Sequence, residues 1–223
     1  MIQNIPGRPK HIKDIIETVE RYDTEKIPLL HEYIDEQLAN KVQYDSAANL
    51  AVLKLYQFNP DQINFKYISS ILIKALTALP DPDFNLCLAL LNLDICSDPT
   101  ISRLYELQKA LEQCRFKDFW SLMADSETRN IVECCVGFEN SIREFISHTI
   151  ENLFVTIAKE EISGYLNLGG NELDEYAKNR NWVLNDDVYT LPVVKENENK
   201  PKVVKENVNY EQLTQIIGYA NEI

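Results

Sequence analysis

A mainly α-helical chain is the fold class this sequence predicts: a stacked helix-pair solenoid, HEAT-like or TPR-like in its spacing, followed by a small winged-helix domain. Three observations predict it. Helix starts fall near residues 9, 27, 45, 64, 82 and 100, in steps of 18 or 19, so two helices recur every 36 or 37 residues. No glycine lies between Gly7 and Gly137, a run of 129 residues without the turn residues that β-rich folds need. From residue 138 onward the pattern becomes helix, helix, helix, hairpin, the element order of a winged helix. The residue signatures of known helical repeats are missing, so an irregular helical bundle is the competing architecture.

The first helices begin near Pro9, Ile27 and Asp45. Pro28 suits the first turn of the second, which turns Tyr33, Ile34 and Leu38 inward. The next helix carries Ile68, Ile71, Leu72, Ala75, Leu76 and Leu79, the stripe of a core-facing helix, and Pro80 stops it. Asp81-Pro82-Asp83 reads as a helix start with proline in the first turn. One continuous helix is expected to follow, burying Phe84, Cys87, Leu88, Leu91 and Ile95 and ending before Ser97-Asp98-Pro99. Another, from about Thr100, places Ile101, Leu104, Tyr105, Gln108, Leu111 and Cys114 on one face. Phe116–Met123 is a short aromatic helix with Trp120 in the core, and Glu127–Val136 follows it. Gly137 is a left-handed stop before the helix Phe138–Leu153.

Residues 138–192 are expected to form the winged helix, with further helices at Lys159–Leu166 and Asn171–Asn181 around a turn at Gly169-Gly170. Two short strands, Trp182–Leu184 and Val188–Leu191, flank Asn185-Asp186-Asp187 as a hairpin that Pro192 ends. Residues 193–209 read as a linker, because Val-Val-Lys-Glu-Asn occurs at 193–197 and again at 203–207. In the terminal segment 210–223, Tyr210, Leu213, Ile216, Ile217 and Ala220 form a stripe at helical spacing. So short a helix is stable only when packed on something.

Charge narrows the function. The formal net charge is −13, from 22 basic and 35 acidic residues, which repels phosphate backbones and anionic lipid headgroups. A nucleic-acid function therefore needs a local basic patch. Residues 149–192 hold three basic residues (Lys159, Lys178, Arg180) against eight acidic ones, and Asp186-Asp187 occupy the tip where a DNA reader carries Arg or Lys. The winged helix reads as a protein-docking module. Met1–Tyr22 is charged throughout and lacks the apolar stretch of a secretory leader, and the longest uncharged runs are ten residues. Five cysteines without CxxC spacing point to a reducing compartment, cytosol or nucleus.

No catalytic constellation stands out. His11, His31 and His148 are far apart in sequence and lack HExxH spacing, and the cysteines read as small buried hydrophobes. A nucleophilic pair such as Cys135 and His148 is open to the sequence, but every buried helical cysteine qualifies equally and no third orienting residue or oxyanion loop accompanies it. No cofactor or metal is expected.

Several stretches carry a family resemblance. Tyr44-Asp45-Ser46-Ala47-Ala48-Asn49-Leu50-Ala51-Val52-Leu53-Lys54-Leu55-Tyr56-Gln57-Phe58-Asn59-Pro60 is the most specific, and Leu72–Pro80 continues it. Asp83–Cys87, Cys114–Trp120 and Gly137–Arg143 add to it. Over roughly residues 10–220 the chain resembles the PCI-domain scaffold subunits of the proteasome lid, the signalosome and translation initiation factor 3, most closely the k-subunit branch of the last. That resemblance implies a non-catalytic, cytoplasmic subunit of a large assembly on the 40S ribosomal subunit. It would dock sister subunits, most directly subunit l, and support recruitment of messenger RNA. No direct sequence-specific nucleic acid and no membrane is implied as a partner. The repeated Val-Val-Lys-Glu-Asn is no part of the family's pattern.

The candidate interface residues are Trp182, Tyr189 and Leu191 on the hairpin and Tyr210, Leu213 and Ile217 on the terminal helix. Trp182 is either a contact residue or a side chain packed beneath the wing. A lid or signalosome subunit, a winged-helix nucleic-acid binder and, last, an enzyme are the alternatives.

Overall fold

Polar caps start the helices close to where the sequence places them. α1 (Lys10–Glu17) is followed by α2 (Ile27–Leu38), which has Pro28 in its first turn. α3 (Ser46–Phe58) begins where Asp45 Oδ1 accepts the Ala48 N–H at 3.1 Å, and α4 (Phe65–Leu76) where Asn64 accepts from Lys66 N–H at 3.1 Å. The computed structural model describes residues 7–192 and, beyond them, 213, 214, 217, 218 and 220. Residues up to 192 form one compact unit and those from 193 another.

α4 lies at the centre of the array, against α2, α5 (Asp83–Ala89) and α7 (Pro99–Glu112). Its expected stripe is buried as far as Leu76, where the helix ends four residues before Pro80 and leaves Leu79 half-buried in the turn; Ser70, Ile73 and Lys74 on its other faces are buried too. Lys74 Nζ donates to Asn40 Oδ1 at 2.7 Å, so the ammonium enters the interior with a partner.

Three expectations need correction here. The single helix expected over 82–96 is two, α5 and the one-turn α6 (Leu93–Cys96), because the Asn92 side chain caps Ile95 N–H at 2.9 Å and restarts the chain. α7 is rotated from the expected face: Leu107 and Ala110 are buried, whereas Tyr105 and Cys114 are exposed. After α8 (Phe116–Met123), α9 (Ser126–Val132) stops four residues early. There Val136 N–H donates to Leu38 O at 3.0 Å and Val136 O accepts from Asn40 Nδ2 at 2.6 Å, so Val136 bonds to the end of α2 and not to its own helix. Gly137 then adopts φ +77°, and α10 (Phe138–Leu153) begins.

The last part runs α10, β1 (Thr156–Ala158), α11 (Lys159–Leu166), α12 (Gly170–Asn179), β2 (Val183–Asn185), β3 (Val188–Thr190), which is winged-helix order. The three strands form an antiparallel sheet in the order β1-β3-β2. β1 has no counterpart in the sequence reading; three residues are too few to show alternation. The hairpin turn is Asp186-Asp187, one residue tighter than expected, with Asp186 at φ +52°. α8 packs on α11, and Trp120 Nε1 donates to Tyr165 O at 2.7 Å, so one buried cluster runs from Ile12 to Leu191. The repeated pentapeptides lie outside the described residues.

Candidate functional site

The wing is fixed to its base by two carboxylates. Glu151, near the end of α10, accepts from Trp182 Nε1 at 2.8 Å and from Arg180 Nη1 at 3.1 Å. The Trp182 ring lies edge-on to Tyr176 and Tyr189, with centroids 6.0 and 6.2 Å away. Asp174 of α12 accepts from Tyr189 Oη at 2.7 Å and from Lys159 Nζ at 2.7 Å. Those two donors hold the Asp174 carboxyl below its usual range, Lys159 contributing most. Burial, and then the bond to Asp174, pushes the Tyr189 phenol up to about 12.

Trp182, Tyr189 and Leu191 are therefore packing residues in the free chain, 5%, 1% and 3% exposed. The strand period explains it. Register places Ile157 beside Tyr189 and Tyr189 beside Leu184, on the side facing the helices. The opposite rows are Thr156, Thr190 and Val183, then Ala158, Val188 and Asn185. Val183, Leu184 and Val188 are exposed, as are Leu153, Phe154 and Val155 on the approach to β1. Among the described residues β2 pairs with β3 alone, so its outer backbone N–H and C=O groups face away from any ladder. An open edge flanked by valine and leucine is what strand addition by a partner requires.

The electrostatics favour protein over nucleic acid. Of the three cations in 149–192, Lys159 is paired with Asp174 and Arg180 with Glu151. α12, in the position of a recognition helix, adds Glu172, Asp174 and Glu175 against Lys178, and two aspartates form the hairpin tip. Phosphate-driven binding has no local source there.

The second candidate surface is described in part. Leu213, Thr214, Ile217, Gly218 and Ala220 are helical, with Leu213 and Ile217 exposed. Tyr210 lies outside the described residues.

The Cys135–His148 pair does not form. Cys135 is buried, and burial pushes its thiol up, away from the thiolate a nucleophile needs. His148 is exposed on the third turn of α10, about 15 Å along the helix from its start at 1.5 Å per residue, where its ring contacts Asn152. Among the described residues, no three His, Cys, Asp or Glu side chains cluster to hold a metal ion, and no helix is long and apolar enough to cross a membrane.

Sequence reasoning singled out the wing and offered Tyr189 and Leu191 as contact residues, which face inward; of the two readings of Trp182, packing beneath the wing is the one the free chain adopts. Val183 and Val188 had a signal, alternation within the strands, whereas Leu184 shares the inward row with Tyr189 and is exposed because β2 is the edge of the sheet. Glu151 had none, since its role depends on Trp182, 31 residues away.

Comparison with known proteins adds a lineage. Residues 62–203 match the CSN8/PSMD8/EIF3K family. The chain is 36% identical to eukaryotic translation initiation factor 3 subunit K of Aedes aegypti over 213 residues, covering 95% of each chain. It is 33% identical to the subunit K of Mycosarcoma maydis, covering 96% of this chain and 92% of the relative. Against that of Botryotinia fuckeliana the identity is 34%, with 97% and 96% covered.

Proposed function

The chain belongs to the CSN8/PSMD8/EIF3K family, and from that premise we propose that it is a scaffold subunit of eukaryotic translation initiation factor 3. The near-full-length likeness to subunits K from fungi and an insect carries this reading. The chain works by docking and not by chemistry, in the cytoplasm, as part of an assembly that supports mRNA recruitment and initiation-complex formation on the 40S subunit. The wing is the main docking element. Its open β2 edge and the exposed Val183, Leu184 and Val188 meet a sister subunit, most directly subunit l, while Trp182, Tyr189 and Leu191 hold that surface rigid from beneath. Residues 138–192 thus act as the docking module, residues 1–137 as the helical array, and 193–209 as the linker to a terminal helix. That helix adds a second contact through Tyr210, Leu213 and Ile217.

Purification of the tagged chain from its native cytosol tests the reading. Recovery of the other initiation factor 3 subunits and 40S material is the expected result. Recovery of proteasome-lid or signalosome subunits in their place would move the chain to another branch of its family.

A further inference from the structure

α3 presents a stripe that the described helices cover only in part: Ala51 is buried at its floor, and Ala47, Leu50 and Lys54 are half-buried. Ala47, Leu50, Ala51 and Lys54 lie at i, i+3, i+4 and i+7, and Phe58 prolongs the line. At 1.5 Å per residue, 47 to 58 spans about 16 Å, three turns of a helix. Ile16 of α1 and Arg21 of the turn after it form one wall; Leu86 and Leu90 form the other, and the groove between them is about 400 Å³. Its floor is unusually low because Ala47 and Ala51, one turn apart, carry only methyl groups. A second helix can therefore approach closely, ridge into groove.

The charged groups lining this groove are Arg21 and Lys54, both cations. The chain holds 35 acidic residues against 22 basic, yet no carboxylate is among the residues lining this groove, so its charge is positive where the chain's is negative. Of the carboxylates around Arg21 in sequence, Glu17 pairs with Lys13 at 3.9 Å, Glu20 with Lys26 at 3.6 Å, and Asp23 accepts the Glu25 N–H at 3.0 Å. Among the described residues Arg21 and Lys54 make no ion pair. Arg21 lies over the Tyr22 ring at 5.1 Å, and that ring meets Phe58 edge-on at 6.2 Å. Tyr22 is 50% exposed and Phe58 61%, so an aromatic pair continues the apolar surface past the end of the groove.

We propose that this groove docks an acidic amphipathic helix of a partner protein. About three turns lie along α3, with an apolar stripe on the alanine floor and carboxylates meeting Arg21 and Lys54. A helix suits the site because its walls are helix side chains that offer no backbone edge for strand addition. The surface is distinct from the wing, so a docked helix here holds a second segment of the assembly.

The test uses the full chain and a stapled 15-residue helix with leucine and alanine on one face and glutamate flanking it, alongside the same helix with lysine for glutamate. The expected result is NMR shift changes centred on Ala47, Leu50, Lys54 and Leu86 with the glutamate helix, and binding at least about tenfold weaker with the lysine helix. Arg21→Glu/Lys54→Glu should invert that preference, and circular dichroism checks that the variant is folded. If it is not, Leu86→Glu, at an exposed position, should weaken the acidic helix alone. Equal binding of both helices, shifts elsewhere, or none would overturn the proposal. In the native cytosol, a photo-crosslinker at position 50 should capture an acidic amphipathic segment of another protein. Capture of a basic or non-helical segment, or of a second copy of this chain, would equally overturn it.

Discussion

Removing Arg8 should destabilise the chain far more than removing Arg8 and the charge of Asp45 together. Arg8 Nε and Nη2 reach Asp45 Oδ2 and Oδ1 at 2.6 and 2.7 Å, a two-pronged pair whose side chains are 3% and 0% exposed. The same carboxylate caps α3 through Ala48 N–H and accepts from Tyr33 Oη at 3.3 Å. Gln37 accepts the Asp45 N–H at 3.0 Å and exchanges two bonds with Asn49. In Arg8→Met the carboxylate is left buried without its counter-ion, which costs about 3–5 kcal/mol. Arg8→Met/Asp45→Asn removes both charges, keeps a capping oxygen and should cost about 1–2 kcal/mol, since two lost partners leave less unsatisfied than one. With a urea m-value of about 2.5 kcal/mol/M, the single variant's midpoint falls by about 1–2 M and the double variant's by well under 1 M. Equilibrium urea unfolding followed by circular dichroism reads both. A single variant within about 0.3 M of the parent, or a double variant less stable than the single, would refute this account of the network. The result bears on docking too, because this pair fastens α1, and with it the Ile16 wall of the groove, to α3.

Other predictions concern the aromatic clusters and the terminal helix. His31 stacks on Tyr67 at 3.6 Å and its Nε2 meets Tyr56 Oη at 2.6 Å. Burial lowers its pKa, against the pull of Asp35 and with a small contribution from Lys66. The folded state therefore favours the neutral ring, so stability is full above the ordinary imidazole value of about 6.5 and falls as pH drops through it. Urea midpoints between pH 8 and 5.5 should show that decline, and His31→Gln should flatten it; an unchanged slope would assign it elsewhere. Trp182→Phe removes one of the Glu151 donors and should cost about 1–3 kcal/mol by urea unfolding without altering the helical content. Deleting residues 210–220 should weaken incorporation into the native assembly and leave the melting temperature in place, whereas unfolding would assign that helix to the chain's own core.

The helices were legible because their starts are written locally. Asp45, Asn64 and Asp98 accept the N–H groups of their own first turns, and a cap needs no distant partner. What escaped depends on the rest of the chain. α9 ends early because Val136 bonds to Leu38, and α4 is buried on faces its own periodicity leaves polar because helices flank it. Asn92 did carry a local signal for the break between α5 and α6, masked by the apolar run around it. On the wing, the positions of the strands were readable, but which face turned inward was decided by Glu151 and Asp174, contributed by α10 and α12. The groove on α3 was invisible for the same reason: alanines at 47 and 51 read as helix formers until α1 and α5 give them walls.

The central claim is that this chain is a docking subunit of initiation factor 3 whose wing makes the contact. The most direct measurement is quantitative co-purification of sister subunits with tagged parent and with Val183→Asp/Val188→Asp. Both positions are exposed, so the variant should melt with the parent. The account predicts that the parent recovers the initiation factor 3 subunits and that the variant loses at least about nine-tenths of them. Full recovery by the variant, or a parent that brings down none of those subunits, would contradict it.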